Sequence, residues 1–261
     1  MKIRFSYKTY QDVRHNTVLY FLPVIYLLSL SFYIFILPVT WKNEIDVLLN
    51  QLITNNPSLK FWIKGISIII IFSIISYFLI EILKVHDHFY DRHIIRWRKY
   101  YDRDFILPRL CKPFMSNTNS DRLFEEINTH KSRFMKELYY IFVGDEIEKI
   151  NKNTRIRFYE VITIYWFTQM NEFAFILAFL TINILAIFTK NSELLIKIPY
   201  YSLFLFVLLI LNWFWKKSNN SKVENATIAQ INEIHDNSEL FNELEANFKK
   251  LCTNYNIPYN D

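Results

Sequence analysis

Glycine is almost absent from this sequence: only Gly65 and Gly144 occur among its 261 residues. Loops that cradle a phosphate need several glycines, because the backbone must approach the ligand closely. A β fold with many tight turns needs glycine at those turns. The sequence therefore excludes a glycine-rich nucleotide-binding loop and argues against a β fold.

Cysteine and histidine are also scarce. The two cysteines, Cys111 and Cys252, are far apart in the sequence and form no zinc-binding motif. No nucleophile elbow accompanies them, and the six histidines are too few for a dense metal-binding set. We therefore expect no cofactor and no catalytic centre, so the protein is predicted not to be an enzyme.

Apolar residues, in contrast, are abundant and occur in long runs. They make up 52 % of the chain although 21 % of its residues are charged. Four apolar blocks are close to or above the ~20 residues that a helix needs to cross a bilayer. These blocks cover residues 17–41, 62–85, 167–189 and 198–215. The sequence predicts an all-α integral membrane protein with four transmembrane helices and a helical cytoplasmic domain.

The distribution of lysine and arginine predicts the topology. These cations are concentrated before the first block, in residues 86–160 and after residue 215, whereas the loops 42–61 and 190–197 are poorer in them. Because cytoplasmic loops carry the excess of positive charge, both termini and the 86–160 segment should be cytoplasmic. The predicted location is the cell inner membrane, crossed several times. Both cysteines are then expected to be free thiols in a reducing compartment.

Five segments follow from this topology. They are a cytoplasmic basic arm (1–16), transmembrane helices 1 and 2 (17–85), a cytoplasmic helical segment (86–160), transmembrane helices 3 and 4 (161–215) and cytoplasmic C-terminal helices (216–261).

The polar segments are predicted to be helical. Between residues 59 and 107 there is no proline and one glycine, so the second span should continue as one helix into the cytoplasm until Pro108 and Pro113 end it. A helix is predicted near 120–143, where the stretch NSDRLFEEI offers an N-cap and Gly144 a stop. A capping box is predicted at residues 145–148. A further helix is expected to lead into the third span through residues 151–161.

The C-terminal segment 222–261 is predicted to form two helices. In the second of these, apolar residues recur at spacings of three and four, as in a helix that packs on a helical partner. These residues are Phe241, Leu244, Phe248 and Leu251. The expected partner is the 120–143 helix or another subunit.

The stretch HDHFYDRHIIRWRKYYDRDF, residues 86–105, is the most unusual polar part of the chain. His86 and His93 share a helix face, so a metal site with Asp87 or Tyr90 is one interpretation. Membrane di-iron enzymes place histidine boxes at similar positions but use more histidines than this chain contains. The alternative is that these histidines lie at the level of the lipid headgroups and form local hydrogen bonds.

On the helical period, the cations of this stretch form one basic stripe, separate from a stripe of aromatic and apolar residues. The basic stripe consists of His88, Arg92, Arg96, Lys99 and Arg103. Three interpretations remain open: contact with anionic lipid headgroups, pairing with acidic residues of the chain, and binding of a phosphate-bearing molecule such as a nucleotide or oligonucleotide.

Four polar residues fall within the predicted spans, where an ionisable group is costly and usually faces a bundle interior or a water-filled path. They are Glu81, Gln169, Glu172 and Asn183. For Glu172 we favour a pore or an assembly interface, whereas interhelical hydrogen bonds alone would account for Gln169 and Asn183. Asn212, near the end of the fourth block, is expected at the membrane interface.

Four spans joined to a helical cytoplasmic domain through a charged helix resemble the small transmembrane effectors of bacterial anti-phage nucleotide-signalling systems, such as the Hailong-type membrane channel. The resemblance is one of architecture and carries no site residue over. It implies an oligomeric membrane channel, or pore-forming effector, that is gated by its cytoplasmic domain when a nucleotide or oligonucleotide binds. Four spans leave no room for a wide pore in one chain, so we expect a homo-oligomer in the lipid bilayer.

Two other functions remain open. One is a membrane-anchored scaffold or sensor that conducts no ions and recruits a cytoplasmic signalling partner protein. The other is a metal-dependent membrane enzyme, which would use the histidines of residues 86–93.

Overall fold

A computed structural model describes residues 7, 9–31, 43, 47, 74, 77–84, 101–144, 149–188 and 192–259. Across these residues the α-helices are α1 (Tyr10–Ser31), α2 (Leu107–Cys111), α3 (Ser120–Met135), α4 (Ile141–Val143), α5 (Lys152–Phe188), α6 (Ser192–Asp236) and α7 (Ser238–Asn254). There are also π-helices at Phe78–Ile82, Tyr101–Ile106 and Lys136–Tyr140, and a 3-10 helix at Lys112–Asn117.

The only β-structure in the described ranges is an isolated antiparallel bridge between Thr118 and Tyr259. The predicted all-α class is therefore confirmed.

The chain divides into two compact units. Unit 1 comprises Met1–Val13, His86–Thr163 and Asn219–Asp261, and unit 2 comprises Arg14–Val85 and Ile164–Ser218. These boundaries lie close to those between the polar and apolar segments of the sequence. The long helices α5 and α6 each contribute residues to both units.

The prediction of one unbroken helix through residue 107 is wrong at Lys84. The π-helix Phe78–Ile82 closes where the N–H of Leu83 donates a hydrogen bond of 2.9 Å to the carbonyl oxygen of Phe78. The next residue, Lys84, has a φ of 45°. A left-handed backbone cannot continue a right-handed helix, so this helix ends before Lys84.

The prediction that Pro108 and Pro113 end the helix is also wrong. Helical structure continues from Tyr101 to Asn117, but its type changes at each proline. Pro108 lies in the first turn of α2 and Pro113 in the first turn of the 3-10 helix. A proline is tolerated there because a first-turn N–H has no partner within the helix.

The helix predicted near 120–143 is confirmed as α3, the π-helix Lys136–Tyr140 and α4 in succession. The side chain of Asn119 accepts a hydrogen bond of 3.1 Å from the backbone N–H of Arg122, which is a standard N-cap. The apolar residues with helical spacing form its buried face. They include Leu123, Ile127, Phe134 and Leu138.

Gly144 ends this helical region, as predicted. Its N–H donates a 2.8 Å hydrogen bond to the carbonyl oxygen of Tyr140, and its backbone then turns to extended values. A Cβ atom at this position would lie 2.7 Å from that carbonyl oxygen, which is too close for a side chain. Position 144 therefore requires glycine because a side chain would not fit there, and not because the backbone is left-handed. The predicted capping box at residues 145–148 lies outside the described residues.

The helix predicted to lead into the third apolar block is confirmed, because α5 begins at Lys152 and runs without interruption to Phe188. The C-terminal segment differs from the prediction. Residues 222–236 are the end of α6 and are continuous with the fourth apolar block, so only α7 is a separate helix. The side chain of Asn237 caps α7 by accepting hydrogen bonds from the N–H groups of Glu239 and Leu240.

The apolar stripe of α7 packs inside unit 1. Leu244, Phe248 and Leu251 are buried. The ring of Phe114 stacks on Phe248, with ring centroids 4.8 Å apart. The helix also contacts Lys136–Tyr140, so one of its partners is the helical region predicted from the sequence.

The described part of unit 2 is built around α1, α5 and α6. One core cluster joins α1 to α5 through Phe21, Ile25 and Met170. A second cluster joins α5 to α6 through Ile182 and Leu205. The described part of unit 2 is thus held together mainly by apolar contacts between helices, which a bilayer tolerates.

Candidate functional site

Two helices, α5 and α6, are long and apolar enough to cross a membrane, within Lys152–Ile184 and Leu195–Asp236. Only 22 % of an apolar stretch of 18 residues in α6 is buried within the chain. Its exposed residues are large and apolar, including Tyr200, Leu203, Phe206, Leu211 and Phe214. An exposed apolar surface of this kind indicates contact with a membrane or a protein partner. Most of the first two predicted spans lies outside the described residues.

An ion pair joins these helices within unit 2. The Nζ atom of Lys216, on α6, donates a hydrogen bond of 2.6 Å to Oε2 of Glu172, on α5. Both side chains are mostly buried, with 15 % and 23 % of their surface exposed. Because unit 2 is otherwise largely apolar, each charge depends on the other for compensation. The sequence identified Glu172 as a polar residue within a span but did not predict its partner, Lys216.

A second polar contact lies close to this pair in the sequence of both helices. Asn212 is buried, and its Nδ2 atom donates a 2.9 Å hydrogen bond to the carbonyl oxygen of Thr168. Asn212 therefore joins α6 to α5, whereas the sequence predicted a position at the membrane interface. Its burial could not be predicted from the sequence, because burial depends on which face of α6 meets α5.

Gln169 is completely buried, and neither atom of its side-chain amide has a hydrogen-bond partner in the described structure. The side-chain oxygen of Asn171, two residues further on, is also buried without a partner there. Buried amides normally find partners, and each one left without costs about 1–3 kcal/mol. Among the described residues, the Gln169 amide makes no interhelical hydrogen bond that would account for its position. This turn of α5 therefore combines an ion pair with unsatisfied polar atoms.

Asn183 belongs to a different environment. Its Nδ2 atom donates a 2.7 Å hydrogen bond to the carbonyl oxygen of Phe179, one turn earlier in α5. The structure therefore does not bring Asn183 together with Glu172. The backbone of Glu81 lies in the π-helix Phe78–Ile82, and the position of its side chain lies outside the description.

Of the basic stripe, Arg103 alone falls among the described residues. Its guanidinium binds the neighbouring carboxylate of Asp104, with a hydrogen bond of 2.7 Å from a terminal nitrogen. This hydrogen bond lowers the pKa of Asp104 below its usual range. Of the three interpretations of the basic stripe, the geometry at Arg103 matches pairing with an acidic residue of the chain. His88, Arg92, Arg96 and Lys99 lie outside the described residues.

Buried hydrogen bonds hold the C-terminal part of α6 within unit 1. The Tyr101 hydroxyl donates to Thr227 at 2.8 Å, and the Tyr139 hydroxyl donates to Gln230. Burial raises the pKa of both tyrosines above the usual range, so their hydroxyls remain donors at physiological pH. Each tyrosine lies in a π-helix. These contacts could not be read from the sequence because a π-helix changes which side chain faces its neighbour.

The described residues contain no group of three or more histidine, cysteine or acidic side chains that would hold a metal ion. His86 and His93, on which the metal interpretation depended, lie outside the description. The two cysteines are free and buried in unit 1.

Across the described residues the fold is all-helical, and two of its helices are long and apolar enough to cross a membrane. The model of the YmfE protein family matches residues 10–250, so the chain belongs to that family. No curated protein matches the chain, and no solved structure matches it.

Proposed function

We propose that the protein is an oligomeric membrane channel, or pore-forming effector, that its cytoplasmic helical domain gates. The observation that carries this proposal is the polar turn of α5 inside an apolar unit. This turn holds Glu172, which pairs with Lys216, and the buried amide of Gln169, which has no hydrogen-bond partner among the described residues. Ionisable groups at membrane depth are expensive and usually line a path for ions or protons. Carboxylates in such a path favour cations.

The proposed topology has four spans in the cell inner membrane, with both termini in the cytoplasm. It is supported by the four apolar blocks, the exposed apolar side chains of α6 and the excess of lysine and arginine on one side. Reporter fusions test it directly. A periplasmic reporter should be active after residues 55 and 191, and a cytoplasmic reporter should be active at both termini. Periplasmic activity at either terminus contradicts this topology.

In the proposed open state, the ion path passes Glu172. The pair with Lys216 compensates the carboxylate in the closed state, and separation of the two side chains exposes it to permeating cations. Because four helices enclose no wide pore, the path lies between subunits of a homo-oligomer. Native mass spectrometry of the protein in detergent should detect this oligomer, and a strictly monomeric protein would exclude the shared path.

Gating is proposed to act through α6. This helix carries Thr227 and Gln230, which bind the tyrosines of unit 1, and it also carries Lys216. A phosphate-bearing molecule bound at the basic stripe would displace the segment that begins at Tyr101 and so shift α6. A nucleotide or oligonucleotide fits this role, in line with the resemblance to anti-phage effectors. Such a ligand must bind the open state more tightly than the closed one.

Ion flux out of liposomes tests the channel. When a nucleotide or oligonucleotide is supplied, purified protein should release trapped potassium, and Glu172→Gln should reduce that flux by about tenfold because the cation-attracting charge is lost. Glu160→Gln, which changes an exposed glutamate of the same helix, is the control and should leave flux unchanged. Equal flux in the wild type and Glu172→Gln would remove Glu172 from the path.

A non-conducting scaffold or sensor is the second candidate, and one observation favours it. Lys216 already compensates Glu172 within the chain, which is what a structural ion pair requires. In this case the cytoplasmic domain recruits a signalling partner protein, and the membrane helices serve as an anchor. Glu172→Gln would then leave activity in cells intact, whereas removal of α7 would abolish it.

A further inference from the structure

A cleft in unit 1 lies where helix α3 is kinked. The backbone of His130 departs from helical values, with φ −117° and ψ 29°, and so divides α3 into two parts. The cleft beside it has a volume of about 490 Å³. Residues 129–133 form one wall and Tyr255, just after α7, forms the other.

Two side chains of this cleft are exposed and have hydrogen-bonding capacity to spare. Within the described structure, the guanidinium of Arg133 makes no ion pair and lies 5.9 Å from the centre of the Tyr255 ring. The hydroxyl of Ser132 likewise has no partner among the described residues. Donors left free on adjacent residues are available to a ligand.

The other side chains of the cleft are held by contacts within the chain. Lys131 reaches Asp102 with its Nζ atom 3.2 Å from Oδ2. The ring of His130 stacks on Tyr255 at 4.6 Å and lies within 3.7 Å of a carboxylate oxygen of Glu126. Thr129 donates to a carbonyl oxygen of its own helix. These contacts fix the walls around the free guanidinium and hydroxyl.

We infer that this cleft binds the phosphate group of a phosphate monoester. A guanidinium donates two parallel hydrogen bonds to phosphate oxygens, and a hydroxyl donates to the third. A phosphate monoester offers three terminal oxygens, two to Arg133 and one to Ser132, whereas a carboxylate offers two in all. The carboxylates that the described structure places in contact with cleft residues are those of Asp102 and Glu126, and each already faces a basic side chain.

This site shares no residue with the basic stripe that the proposed function invokes, and it does not require that the protein conduct ions. The phosphate monoester has two possible sources: a small soluble molecule, or the headgroup of phosphatidic acid. Glycerol 3-phosphate carries the same group without acyl chains and is therefore the matched soluble probe.

Binding to the full-length protein in phosphatidylcholine nanodiscs tests the inference. Calorimetric titration with glycerol 3-phosphate is expected to give saturable binding if the ligand is soluble. If the ligand is the lipid, nanodiscs formed from a mixed lipid pool should be enriched in phosphatidic acid by the wild-type protein. Either result supports the site, and the two results distinguish its sources. The absence of both overturns the inference.

Variants locate the binding. Arg133→Gln is expected to weaken it by about tenfold or more, because a charge-assisted bidentate contact is lost. The control is Arg122→Gln, which changes an exposed arginine of the same helix away from the cleft and should retain binding. Melting temperatures of the two variants establish that both are folded. Equal weakening by both variants would mean that net charge, not the cleft, attracts phosphate, and would overturn the inference. A loss of binding here leaves the flux test of the channel unaffected.

Discussion

Lys216 and Glu172 are 44 residues apart in the sequence, yet their charged atoms lie 2.6 Å apart between two apolar helices. Neither side chain meets enough water to be stable as an isolated charge, so the pair ties α6 to α5 at one register. The ion pair explains how the facing sides of α5 and α6 can each carry a charge within the apolar unit 2. A shift of α6 along α5 by one residue or more would break this ion pair.

A double-mutant cycle measures this dependence. Lys216→Met and Glu172→Gln should each destabilise the protein by about 1–3 kcal/mol, because each leaves a mostly buried polar group without its partner. The double variant should lose less than the sum of the two. Thermal unfolding in detergent gives these values. Lys217→Met, at an exposed neighbour that lies against Trp213, is the control and should change stability little.

Gln169 offers a contrasting test. Because both atoms of its buried amide lack partners in the described structure, Gln169→Met should leave stability unchanged or raise it by about 1–2 kcal/mol. Asn212→Ala should lower it by about 1 kcal/mol or more, since the hydrogen bond to Thr168 is lost. Unfolding of both variants in the same detergent is the measurement. Marked destabilisation by Gln169→Met would mean that the amide has a partner in the assembled protein.

Local sequence rules predicted the ends of several helices. The cap at Asn119, the stop at Gly144 and the buried stripe of α7 all depend on residues within one or two turns of each other. Such features are fixed by hydrogen bonds and spacing along one helix, so they are readable without a structure. The helix break at Lys84 could not be predicted from the sequence, because no glycine or proline marks it.

The contacts between helices could not be predicted from the sequence. The fourth apolar block and the first C-terminal helix were predicted as separate elements, but both belong to α6, which continues to Asp236. Asn219, in the polar run between them, is buried. Likewise, nothing in the sequence pairs Tyr139 with Gln230, since that pairing depends on helix register and on a π-helical turn.

The stripe of α7 makes a prediction about the stability of unit 1. Phe248 is completely buried and stacks on Phe114, so Phe248→Ala should destabilise the protein by about 3–5 kcal/mol. Phe241→Ala removes a half-buried ring from the same helix and should cost clearly less. Chemical unfolding followed by circular dichroism distinguishes them. Equal effects would contradict the observed packing of α7.

The two cysteines predict how stability changes with pH. Burial raises the pKa of Cys252 to about 11 and raises the pKa of Cys111 above its usual range. In the unfolded chain both thiols lose their protons near pH 8.5, whereas the folded protein retains them. Stability should therefore be intact below about pH 8.5 and fall above it, by about 2 kcal/mol per thiol at pH 10.

Urea unfolding at pH 7.5 and pH 10 measures this loss. The Cys111→Ala, Cys252→Ala double variant serves as the control, because it lacks both thiols and should lose less stability over the same interval. Tyr101 and Tyr139, whose pKa values are also raised by burial, add a loss that begins near pH 10 in both proteins. Equal pH dependence in the two proteins would mean that the thiols are not the titrating groups.

Single-channel recording tests the central claim most directly. Purified wild-type protein in a planar bilayer should produce discrete, cation-selective current steps. Glu172→Gln should reduce their amplitude or their selectivity, while Glu160→Gln should leave both unchanged. If the wild-type protein, inserted as an oligomer and supplied with nucleotide and oligonucleotide ligands, produces no current steps, the protein is not a channel.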